Sequence, residues 1–195
     1  MIAVVALVAL VALVALVGCG KKEDGNTGVV NPNKPSPKAA SEKLITNPIL
    51  EKGIRRQLEK PTGELTNADL EKVTGLNLRE EQLTEVKGLE KLTQLKGLNL
   101  NNNQLTSVKG LEELTQLTEL DLADNQLTSV KGLEKLTQLE TLYLEGNQLT
   151  SVKGLEKLMQ LKQLTLNNNP DLTKAQIDEL QKALPNCKIS SNPKK

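Results

Sequence analysis

Four carboxylates and one phenol are the side chains with chemistry to offer: Glu119, Asp121, Glu140 and Glu145, with Tyr143 among them. Carboxylates gathered in a cleft can coordinate a hard cation through oxygen. As a pair they can also hydrolyse a glycosidic bond by acid–base catalysis. Both roles need the groups to converge on one point. The chain has no His, so it lacks the side chain that titrates near neutral pH. Its two cysteines, Cys19 and Cys187, form neither a disulfide framework nor a zinc-ligand spacing. No Gly-rich phosphate loop, Ser/His/Asp set or aromatic stacking platform is present. Lys and Arg number 25 against 24 Asp and Glu, a formal charge of +1 that argues against a nucleic-acid binder with a basic face.

A repeat positions the five candidates. From Leu92 to Lys157 the chain reads in lines of 22: LTQLKGLNLNNNQLTSVKGLEE, LTQLTELDLADNQLTSVKGLEK, LTQLETLYLEGNQLTSVKGLEK. Sixteen of the 22 columns are identical in all three lines. Leu70 starts an earlier, more divergent copy, and Leu158 starts a last copy that ends after Asn169, making five repeats over residues 70–169. A fixed period of this length marks an architecture of stacked units, each burying its leucines against its neighbours. That suits a chain with no Phe or Trp and with Tyr143 as its single aromatic residue.

The columns match L-x-x-L-x-L-x-x-N-x-L and so resemble leucine-rich repeats. The 22-residue length is similar to the class found in internalins and in a regulatory subunit of protein phosphatase 1. The resemblance implies an α/β solenoid with a short parallel sheet on its concave face. Strand side chains alternate, so Leu98 and Leu100 point inward while Gly97, Asn99 and Asn101 point out. About ten residues return the chain to the next strand, enough for turns or short 3₁₀ segments but not for a long convex helix. Gly110 permits a tight bend on that return. The resemblance also implies a ladder of Asn103, Asn125, Asn147 and Asn169, each bonding backbone groups of its turn. The first copy has Glu81 in that column, which implies a looser or more exposed first turn.

The columns that vary between the second, third and fourth copies are almost all strand positions not spent on the core, plus the turn after them. They are Lys96/Thr118/Glu140, Gly97/Glu119/Thr141, Asn99/Asp121/Tyr143, Asn101/Ala123/Glu145 and Asn102/Asp124/Gly146. The back surface repeats nearly unchanged. This pattern points to a ligand-facing concave surface, with Glu119, Asp121, Thr141, Tyr143, Glu145, Asn99 and Asn101 as the binding residues. A shallow solenoid face aims its side chains outward and roughly parallel. The carboxylates are therefore expected to form a solvated acidic patch that steers a partner, with no metal, no cofactor and no catalysis. The rows Lys87, Lys109, Lys131, Lys153 and Glu90, Glu112, Glu134, Glu156 read as a solvated, alternating back surface.

The flanks complete the layout. Asn47-Pro48 is a helix start, with Leu50, Ile54 and Leu58 on one face and Lys60-Pro61 as the stop. Thr66 with Asp69 is a second start. Residues 46–69 thus resemble the helical N-terminal cap of internalin-type proteins. Thr173 opens a helix with Ile177, Leu180 and Leu184 on one face, ended by Pro185. Cys187-Lys188-Ile189 can add an edge strand, Cys187 being a small buried hydrophobe. Residues 170–189 form the C-terminal cap and 190–195 a polar tail.

Residues 1–18 are an apolar segment ending at Leu16-Val17-Gly18-Cys19, which resembles the lipobox of bacterial lipoproteins. The resemblance implies cleavage before Cys19 and lipidation of its thiol. No Lys or Arg follows Met1, a departure from the signal-peptide pattern. A plain transmembrane anchor stays open, since the run is near the lower limit for spanning. Residues 19–45 are a polar, Pro-containing linker of about 25 residues with a reach of about 25–30 Å. The expectation is a membrane-anchored binding module of the bacterial cell envelope with a protein partner. The absence of Asp at Gly20 favours the outer membrane in a Gram-negative cell. Two alternatives stay open: a structural envelope spacer without a dedicated ligand, or a non-catalytic regulatory subunit.

Overall fold

The structure, a computed structural model, describes residues 43–193. The apolar segment 1–18, Cys19, linker residues up to 42 and the last two residues lie outside the described residues.

Each L-x-L becomes a three-residue strand: β1 (Gly75–Asn77), β2 (Gly97–Asn99), β3 (Glu119–Asp121), β4 (Thr141–Tyr143) and β5 (Gln163–Thr165). With β6 (Lys188–Ser190) they form one parallel six-stranded sheet in chain order. The register is strict. Leu76, Leu98, Leu120, Leu142, Leu164 and Ile189 are aligned across the sheet. A period of 22 residues returns every column to the same place, so each leucine row buries itself against its own copies. Leu114, Leu117, Leu120 and Leu122 are fully buried, and so are their equivalents in the fourth repeat.

The return path is built from four three-residue 3₁₀ turns, Leu89–Lys91, Leu111–Glu113, Leu133–Lys135 and Leu155–Lys157. A left-handed glycine opens each one: Gly88, Gly110, Gly132 and Gly154 have φ between 100 and 108°. Only a residue without Cβ takes that conformation cheaply. The bend is what keeps the return short.

The N-terminal cap is the helix α1 (Pro48–Gln57) followed by the single turn α2 (Asn67–Leu70). Asn47 Oδ1 accepts the N–H groups of Ile49 and Leu50. Thr66 and Asp69 form a reciprocal capping box around α2. The helix α1 lies on the first repeat closely enough that a Cβ on Gly53 would sit 2.6 Å from Leu78 Cδ2. The cap starts earlier than the linker boundary at residue 45. Ile45 is buried, Lys91 Nζ donates to the Leu44 carbonyl, and Lys43 pairs with Glu51 at 2.6 Å. Leu44 and Ile45 both pack on the core, but two adjacent apolar residues in a polar stretch show no period in sequence.

The C-terminal cap is α3 (Lys174–Ala183), with a Thr173–Gln176 capping box and Ile177 and Leu180 buried. The strand β6 ends one residue later than expected, and the chain beyond it is anchored. Leu166 N–H donates to the Ser190 carbonyl at 2.7 Å, and Asn192 Oδ1 accepts from Asn168 N–H at 2.6 Å. The polar tail is thus held to the solenoid at Ser190 and Asn192. Cys187 is buried, and burial pushes its thiol above the usual range.

Candidate functional site

The asparagine column comes first because it holds the sheet's rim in place. Asn103 Oδ1 accepts Leu83 N–H at 2.9 Å, and its Nδ2 donates to the carbonyls of Leu78 and Leu100 at 2.9 Å. Asn125 makes the same bonds to Leu105, Leu100 and Leu122, and Asn147 to Leu127, Leu122 and Leu144. Asn169 closes the series on Leu149, Leu144 and Leu166. Each amide ties its own turn to the repeat before it. These four are buried polar side chains, and every buried amide needs such partners. Glu81, which cannot donate, is half-buried and lies 3.8 Å from Arg56. Its turn is irregular: both Glu80 and Gln82 have positive φ.

The next column inward on the concave face is Asn77, Asn99, Asp121, Tyr143 and Thr165. In the first three, the side-chain oxygen accepts the N–H two residues on, that of Arg79, Asn101 and Ala123, at 2.9–3.0 Å. These are Asx turns, local bonds that finish the strand. Tyr143 breaks the series. It is half-buried, and its hydroxyl has no hydrogen-bond partner among the described residues. Thr165 also departs, but its hydroxyl donates to Glu145 Oε2.

The acids do not converge. Glu119 is exposed, and Glu140 pairs with Lys162 at 2.6 Å. Asp121 is the one with a perturbed environment: burial first, and the Glu145 charge after it, push its carboxyl above the usual range. The Ala123 N–H and the Asn101 side chain oppose that shift. Among the described residues no group of three or more His, Cys, Asp or Glu is placed to hold a metal ion.

Two parts of the varying face serve the backbone. Glu80, Asn102, Asp124, Gly146 and Asn168 all have φ between 52 and 67°. Asn, Asp and Gly are the types that enter this region most readily, so the variation Asn102/Asp124/Gly146 reflects the turn. At Gly146 a Cβ would also meet Asp124 Oδ1 at 2.3 Å. Ala123, grouped with the outward columns, is buried.

The convex glutamates are bonded to the backbone rather than solvated. Glu90, Glu112, Glu134 and Glu156 each accept, through Oε2, the N–H of the left-handed glycine two residues earlier, at 2.5–2.6 Å. For Glu112 and Glu134, the bonds from their own backbone N–H and from the glycine hold the carboxyl below the usual range. The recurring Gly-Leu-Glu was the signal for this. The serines join in: Ser107, Ser129 and Ser151 Oγ accept the N–H of Lys109, Lys131 and Lys153. The lysines of that row are exposed.

With this geometry in hand, residues 115–157 and 137–182 match the family model for Leucine Rich repeats (2 copies). The fold is a leucine-rich-repeat solenoid. An internalin (inlF) of Listeria monocytogenes is similar at 29% identity over 78% of this chain and 46% of its own, with a TM-score of 0.71. Internalin C2 of the same organism is 28% identical over 78% of this chain and 68% of its own, with a TM-score of 0.70. The functional domain of InlJ, also from that organism, shares the fold at 21% identity over 77% and 37% of the two chains, with a TM-score of 0.59. The chain thus spans about half the length of the first of these internalins (46%). No curated protein matches it by sequence. The InlJ domain includes a cysteine ladder, whereas the ladder of this leucine-rich-repeat solenoid is asparagine.

Surface clefts of the solenoid recur between neighbouring repeats on the convex side. One is lined by Lys87, Glu90, Ser107 and Lys109, another by Lys131, Glu134, Ser151 and Lys153. They are consequences of the 22-residue period and carry the same bonded glutamates. No described helix is long and apolar enough to cross a membrane.

Proposed function

We propose that this chain is a binding module for a protein partner, working through the concave face of its leucine-rich-repeat domain and without catalysis. The observation that carries the reading is Tyr143. In a column where Asn77, Asn99 and Asp121 bond the backbone, its hydroxyl has no hydrogen-bond partner among the described residues. It sits in the fourth of six strands, flanked by Asp121 and Thr165 in register. A central aromatic side chain with a free hydroxyl is the usual form of an interface hot spot. Thr141 and Glu145 lie on its own strand and turn, Glu119 on the next strand and Asn99 and Asn101 on the one beyond, the acids setting association rate and salt dependence. The likeness to internalins supports a binding role.

The placement belongs to the same proposal: the bacterial cell envelope, with the domain held to a membrane by lipid on Cys19, or else by the apolar segment. The linker then holds the solenoid clear of the surface, on the outer membrane if the cell is Gram-negative. Labelled palmitate tests the anchor. Wild type incorporates it and Cys19→Ser does not; equal labelling excludes lipidation at that residue. The partner is tested by pull-down from solubilised membranes. Tyr143→Ala is expected to lose the captured protein while Lys131→Ala on the convex side keeps it. The reverse result places the binding surface on the back.

A further inference from the structure

We draw no further inference here: the strongest candidate, the concave surface patch around Tyr143 with the open strip at Gly75 and Gly97, where a Cβ would meet nothing within 4 Å, belongs to the site already described, and nothing in the structure shows what covers it.

Discussion

On the convex side Glu112 and Glu134 each accept a glycine N–H and sit below the usual carboxylate range. On the concave face Asp121 also accepts a backbone N–H, yet burial and the charge of Glu145 hold it above that range. The group bonds a backbone N–H on both sides, but its charged form is stabilised only on the convex one. A carboxylate whose charged form is stabilised has a structural task. Asp121 closes the same turn that Asn77 and Asn99 close with a neutral amide, so its charge is not what the turn requires. The surrounding columns divide the same way: Ser, Glu and Gly of the back have bonds or dihedral angles that explain them, and the Tyr143 hydroxyl has no hydrogen bond among the described residues.

The largest effect should come from the shared scaffold under both faces. Leu122→Ala, in a middle repeat, is expected to lose about 2–5 kcal/mol in urea unfolding, the range for truncating a buried leucine. Asn125→Ala should cost about 2–3 kcal/mol, because it leaves Leu105 N–H and the carbonyls it served without a buried partner. A loss as small as that of a surface residue would mean that water replaces the ladder amide.

Next is the convex bend. Gly132→Ala forces a Cβ into φ 108°, a region essentially closed to other residues, and should cost about 1–2 kcal/mol. Gly97→Ala on the concave strand should cost nothing and can stabilise. Equal losses at the two glycines would erase the distinction between a glycine required by the backbone and one that is not.

The smallest effects carry the sharpest contrast, since their signs differ. The Glu112 and Glu134 carboxyls are lowered in the fold, so they stabilise above the unfolded value of 4.5 and lose that contribution as pH falls below it. Asp121 is raised, so the folded state holds its proton longer than the unfolded one. Its effect is a stability that falls as pH rises from 3.8 through the folded value. Glu134→Gln should flatten the acid loss measured by urea melts from pH 3 to 7. Asp121→Asn keeps the Asx acceptor, removes the charge, and should match or exceed wild type by up to about 0.5 kcal/mol at pH 7. If both substitutions destabilise at pH 7 and steepen the acid loss, the comparison of the two faces fails.

The strands, the leucine core, the asparagine ladder and both capping helices were readable from sequence because each rests on period or on a local cap such as Asn47-Pro48 or Thr173. Less was readable where a bond depends on a dihedral angle. Glu112 looks solvated until Gly110 is known to be left-handed and to aim its N–H at the carboxylate. Asn102, Asp124 and Gly146 look like ligand variation until their positive φ is known. The column of Tyr143 was visible, but its meaning was not. Only the Asx bonds at Asn77, Asn99 and Asp121 show that tyrosine is the departure.

The most direct test of the concave-face account is a photo-crosslinking residue placed singly at position 143 and at position 131 of the full chain, activated in intact cells. The account predicts a discrete adduct from position 143 with a partner, and none of comparable yield from Lys131. Adducts from position 131 with nothing from position 143 would contradict it.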